Sequence, residues 1–156
     1  MLLLLDIDGV MTPANSWRSP EILADGFIEF NSKAIKALNK VLANTEIEIV
    51  LTTSHKFKYN LNEWINIFKT RNINLNKISR LPDNIGNLDR NYEILNWFNS
   101  KTIQDNFIIL DDDKSLNALP AFLKARLIQT SASVGFTNDL ADEMLALIQK
   151  ENHEFA

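Results

Sequence analysis

Three short groups of residues in this 156-residue chain have the types and spacing to do chemistry together. Asp6 and Asp8 flank Ile7 and run into Gly9, Thr52, Thr53 and Ser54 form a run of hydroxyls, and Asp111, Asp112 and Asp113 form a run of acids. Each group follows an apolar segment: residues 1–5, 47–51 and 107–110. Carboxylates gathered on one rim repel one another, and the simplest remedy is a bound hard cation that prefers oxygen ligands, with Mg²⁺ foremost. A magnesium ion held by few carboxylates keeps positions open for phosphate oxygens, and the hydroxyl of Thr52 can donate to one of those.

Taken singly, each group has a bland reading. Asp-Gly is a common turn dipeptide, an acidic run caps a following helix, and a lone Thr means almost nothing. The joint pattern is what carries weight, because three separate segments each end in a residue type that a magnesium-assisted phosphoryl site needs.

Those residues act together only if the intervening chain brings them to one edge. The unbroken run 1–5 has the pattern of a strand buried on both faces of a parallel sheet. Residues 11–30, with Pro13, Pro20 and Gly26, form a loop or flap. A helix is predicted over 31–42 with Ile35, Leu38 and Leu42 on one side, then a strand over 47–51. A second amphipathic helix starts near residue 60 and carries Leu61, Trp64, Ile65 and Phe68; residues 73–81 hold one short strand at most. Asp89 caps a third helix, 107–110 is a strand, 115–119 a helical turn and 126–128 a last strand. Thr137 caps the final helix, whose stripe is Leu140, Met144, Leu147 and Ile148. Strands separated by helices imply crossover units, hence a three-layer α/β/α sandwich on a mainly parallel sheet, with residues 1–156 as one domain. In such sheets ligands bind beyond the carboxyl ends of the strands, where the strand order reverses.

Composition narrows the chemistry. There is no cysteine, which excludes disulfides, thiolate zinc sites and a cysteine nucleophile, and His55 and His153 are the only histidines, too few for a His-rich metal site. Sixteen Lys and Arg against twenty Asp and Glu give a net charge of −4, against a protein whose main business is nonspecific nucleic-acid binding. The apolar opening runs directly into Asp6 and Asp8, so it is neither a signal-peptide core nor a membrane span, and a cytoplasmic location is expected.

With those residues in view a family likeness follows. Leu4-Leu5-Asp6-Ile7-Asp8-Gly9-Val10 resembles the first motif of the haloacid dehalogenase-like (HAD) phosphohydrolases. Ile49-Val50-Leu51-Thr52 resembles the second and Ile108-Ile109-Leu110-Asp111-Asp112 the fourth. Together with Thr53-Ser54-His55-Lys56, Arg90-x-x-Glu93-Ile94 and Gly135-Phe136-Thr137, the chain is most similar to the small HAD domains named after the Swiss-army-knife RNA repair proteins. The resemblance implies a Rossmann-like HAD sheet and a Mg²⁺-dependent phosphatase working through an aspartyl phosphate. In it Asp6 is the nucleophile and Asp8 the general acid and base. Mg²⁺ is held by a carboxylate oxygen of Asp6, the main-chain carbonyl of Asp8 and Asp111, with Asp112 a direct ligand or one step removed. Thr52, Thr53 and Arg90 meet the phosphate. The third motif supplies a Lys or Arg near the start of the helix before the fourth-motif strand; Arg90 stands there, with Lys77 and Arg80 as competitors.

Neither stretch where HAD enzymes insert caps is long enough for a cap domain, which suggests a large phosphorylated substrate such as a polynucleotide or protein end. Trp17, Arg18, Lys56, Lys58 and Tyr59 can rim such a site, although Lys56 and Lys58 have the simpler reading of ordinary solvated charges. His55 beside Ser54 has no third partner for a triad and is read as structural or peripheral. The alternative function is a non-catalytic HAD-fold or receiver-like Mg²⁺- and phosphate-binding module. A receiver, however, carries its phosphoacceptor Asp at a middle strand, where this chain has Thr52. The spacing of the acids fits no calcium loop, and no P-loop or dinucleotide fingerprint is present.

Overall fold

The computed structural model describes residues 1–14, 19–100 and 106–154, with side chains through Glu151. Five strands, β1 (Leu2–Leu5), β2 (Glu48–Leu51), β3 (Ile78–Arg80), β4 (Phe107–Asp111) and β5 (Leu127–Gln129), form one sheet in the order β3-β2-β1-β4-β5. All four pairings are parallel. Receiver domains follow the order 2-1-3-4-5 instead, so the sheet separates this chain from that alternative.

Side chains alternate across each strand, and both faces are covered. Leu3, Leu5, Ile49, Leu51, Ile108 and Leu110 face one core shared with α1 (Ser32–Asn44), α2 (Leu61–Thr70) and α5 (Asn138–Glu154). Leu4, Val50, Phe107 and Ile109 face a second core closed by α3 (Arg90–Ser100), a 3₁₀ turn (Lys114–Ala118) and α4 (Ala121–Lys124). This three-layer burial is why the strands read as unbroken apolar runs.

Helix starts follow local chemistry. Asn31 caps α1 through Lys33 N at 2.9 Å, and Asn60 and Glu63 form a reciprocal capping box on α2. Thr137 Oγ1 accepts from Leu140 N at 3.3 Å at the head of α5. Asp113 caps the 3₁₀ turn through Ser115 N at 2.8 Å, so that acid serves the backbone. Two elements depart from expectation. The four-residue α4 is too short to show a helical period. The expected flap is half core: Phe27 and Phe30 are buried, and Ile22 bridges to Ile28. No helix among the described residues is long and apolar enough to cross a membrane.

Candidate active site

Strand register builds the site. Leu5 pairs with Leu51 on one side and with Leu110 on the other, so the next residues, Asp6, Thr52 and Asp111, come to the same level of the sheet. The ladder continues through them, with Thr52 N donating to Leu5 O at 3.0 Å and Asp6 N to Leu110 O at 3.1 Å. The sheet order reverses between β1 and β4, which is where a ligand crevice is expected.

Arg90, the first residue of α3, reaches this row. Its Nη1 donates to Asp111 Oδ2 at 2.6 Å and to Thr52 Oγ1 at 3.1 Å, and lies 3.6 Å from Asp6 Oδ1. A cation at a helix N-terminus opposes the dipole, so it needs nearby anions to hold it there. Glu93, one turn on, supplies another at 3.5 Å, and Lys56 Nζ donates to the far oxygen of Glu93 at 3.3 Å. Of the three candidate third-motif cations, Arg90 is therefore the one whose side chain meets Asp6, Thr52 and Asp111. Arg80 donates to the carbonyls of Lys56 and Tyr59 at 2.8 and 2.9 Å, while Lys77 is exposed beside Met1 and Glu46.

Electrostatics in the row are under strain. Burial first, and then the charge of Asp111, pushes the Asp6 carboxyl well above the usual carboxylate range. Burial likewise raises Asp111, with Arg90 pulling it back. Burial alone would weaken Arg90 as a base, but Asp111, Asp6 and Glu93 more than offset this. One guanidinium, itself shared with Glu93, is short of the charge two buried carboxylates demand. Asp112 adds a third: Asp6, Asp111 and Asp112 each offer an oxygen within 4.8 Å of the others. An all-oxygen, charge-deficient cluster fits a hard divalent cation such as Mg²⁺. Gly9 makes room for it. Its φ is +80°, and a Cβ there would sit 2.0 Å from Asp112 Oδ2. Gly135, at φ +84°, also leaves no room for a side chain, since a Cβ there would sit 2.7 Å from Val10 O, and Phe136 N donates to that oxygen at 2.8 Å, which pins the loop after Asp8.

Asp8 stands at the mouth, its side chain 45% exposed, with Oδ2 2.9 Å from Nε2 of His55. This corrects the expectation that His55 is merely structural or peripheral: it touches the second acid of the first motif. The ring is set by an edge-to-face contact with Phe27 and by its own main chain, whose N–H donates to Thr53 Oγ1 at 3.3 Å. Thr53 is thus tied to the turn that carries His55. Lys56, expected as a solvated charge, is buried against Glu93, because Trp64 Nε1 and Arg80 both donate to its carbonyl and turn the chain inward. The Arg90–Glu93 spacing of three on a helix was the available signal for that pair. Trp17 and Arg18 lie outside the described residues.

The arrangement brings together the buried carboxylates of Asp6 and Asp111, a second acid of the first motif at the mouth, the hydroxyl of Thr52, the guanidinium of Arg90 and a three-carboxylate group that could hold a cation. A family described as the HAD domain in Swiss Army Knife RNA repair proteins matches residues 2–141. No curated protein and no solved structure gives a significant match.

Proposed function

The chain belongs to the family of HAD domains in Swiss Army Knife RNA repair proteins, and from that premise we propose that it is a Mg²⁺-dependent phosphomonoesterase acting through an aspartyl phosphate. The single observation that supports this most is Arg90, which joins all three strand ends at 2.6 Å to Asp111, 3.1 Å to Thr52 and 3.6 Å to Asp6.

A carboxylate oxygen of Asp6 attacks phosphorus, and the bond to the leaving oxygen breaks as Asp8 delivers a proton to it. Asp8 then takes a proton from water as that water displaces Asp6, releasing inorganic phosphate and restoring the carboxylate. His55 holds Oδ2 of Asp8, leaving the other oxygen for proton transfer. Thr52 and Arg90 meet the charge that develops on the phosphoryl oxygens, with Thr53 shaping the turn beside them. Asp6, Asp111, Asp112 and the main-chain carbonyl of Asp8 would hold Mg²⁺, which when bound supplies positive charge against phosphoryl oxygens and carboxylates alike.

The substrate class is a phosphorylated polynucleotide end met in the cytoplasm. Its support is the RNA-repair description of the family and an open mouth. Among the described residues, only the flap lies between β1 and α1, and only α2 between β2 and β3. The test is a Mg²⁺-dependent screen over p-nitrophenyl phosphate, nucleotides, phosphopeptides and 3′- or 5′-phosphorylated oligonucleotides. Turnover abolished by Asp6→Asn with folding retained is expected. An Asp6→Asn protein as active as the parent removes the nucleophile assignment, and a folded, Mg²⁺-binding protein with no turnover on any probe makes the chain a binding module instead.

A further inference from the structure

We propose that the groove beyond Asp8 is the leaving-group subsite, and that it takes a nucleotide whose neighbouring phosphate is bound by Lys58; this rests on the phosphomonoesterase reading above. A cavity of about 350 Å³ is lined by Asp8, His55, Lys58, Phe27, Pro20 and Ile22, among others. A general acid must lie within hydrogen-bond reach of the oxygen it protonates, so the alcohol that departs from phosphorus has to start beside Asp8. Asp8 lines this groove.

Its walls have two kinds of chemistry. Ile22 is 61% exposed, and with Pro20 it presents apolar surface to the groove. Among the described residues that line it, Lys58 is the groove's cation. Its ammonium lies 5.8 Å from the ring centroid of Phe27 and 5.7 Å from that of Tyr59. Among the described residues no carboxylate pairs with it. The acid lining this groove, Asp8, is engaged by His55 at 2.9 Å. The aromatic faces therefore hold the ammonium in place while leaving its hydrogen-bonding capacity for an incoming anion. Lys56, two residues earlier, is the contrasting case, buried and committed to Glu93 at 3.3 Å. A ligand that satisfies both walls needs a flat apolar body and a second negative charge near the scissile phosphate. A nucleotide that continues into a phosphodiester has both, whereas a simple aryl phosphate lacks the charge.

The experiment compares kcat/KM for p-nitrophenyl phosphate, a nucleoside monophosphate and a dinucleotide bearing the same terminal phosphate, in 3′ and 5′ series, with Mg²⁺ present. The dinucleotide is expected to exceed the mononucleotide by about tenfold, the size of one charge-assisted contact at a partly exposed site. Lys58→Ala removes that advantage, Lys58→Glu reverses it, and Lys58→Arg keeps most of it; thermal melts confirm that each variant folds. Turnover without a dinucleotide advantage, an advantage that survives Lys58→Glu, or a phosphoserine peptide that outruns every nucleotide overturns the subsite while the phosphomonoesterase reading stands. Absence of all turnover, p-nitrophenyl phosphate included, overturns both.

Discussion

Asp6, Thr52 and Asp111 are placed by main-chain pairing, whereas residues 19–30, the flap that walls the groove beside them, are placed by side chains. The row inherits its level from the β1 register with β2 and β4, so many hydrogen bonds share in holding it. The flap is held by the buried rings of Phe27 and Phe30 and by one buried cation. Arg71 donates through Nη1 and Nη2 to Asp25 at 2.6 and 3.0 Å, through Nε to the carbonyl of Ile28 at 3.0 Å and through Nη2 to that of Phe27 at 3.1 Å. Its guanidinium also lies 5.7 and 5.1 Å from the rings of Phe27 and Phe30. The proposed reacting groups thus sit where main-chain pairing holds them, and the surface proposed to select substrate sits on a segment held mainly by side chains.

If that division is right, substitutions in the row and in the anchor damage different properties. Thr52→Val, which removes a hydroxyl and keeps the volume, is expected to lower kcat by about 10²- to 10³-fold, the usual cost of one lost transition-state donor, with little change in melting temperature. Steady-state kinetics beside a thermal melt decide it, and a variant that melts early while turning over normally breaks the division. Arg71→Met inverts the pattern. Several buried carbonyls lose their donor, which costs about 2–3 kcal/mol of stability by chemical denaturation, while kcat for p-nitrophenyl phosphate changes little. His55 bridges the two regions, since its ring leans on Phe27 of the flap and its Nε2 meets Asp8. His55→Ala is expected to lower kcat about tenfold, most for poor leaving groups, whereas His55→Gln, which keeps a side-chain donor, restores much of it.

The smallest expected effect is one of acidity. The hydrogen bond from Arg71 is the largest cause holding Asp25 at about 2, below the 3.8 of a free carboxyl. A carboxylate depressed by folding contributes stability that is fully present above its unfolded value and lost as pH falls toward its folded one. Melting temperatures of the parent and of Arg71→Met should therefore converge as pH drops from about 4 to about 2. A gap that stays constant over that range would assign the anchor to its carbonyl contacts alone.

Sequence patterns made the sheet and the row legible because both depend on short-range regularities. An unbroken apolar run such as Met1 to Leu5 implies a strand covered on both faces, as Leu3 to Leu5 are, and the residue after each such run has to emerge at a strand end. The family match over residues 2–141 agrees with the HAD-like reading of those runs. What stayed hidden was the direction taken by charged side chains in irregular backbone. His55 and Lys56 are neighbours in one turn, yet one lies against Asp8 at the mouth and the other is buried on Glu93. Arg71, at the end of α2, looks like a solvated helix-end charge, and only the packing of Phe27 and Phe30 around it makes it a core residue. Arg90 was separable from Lys77 and Arg80 only once the loop before α3 had a path, since three cations in fourteen positions carry no periodic signal.

Gly9 and Asp112 share one parcel of space between two distant stretches of chain. Whatever side chain position 9 acquires is taken from the carboxylate at 112, so a residue with no charge of its own decides how much negative charge the pocket can hold. The dependence runs one way: residue 112 can shrink with Gly9 in place, but position 9, held at a φ of +80°, cannot gain a side chain while the acid at 112 keeps its seat.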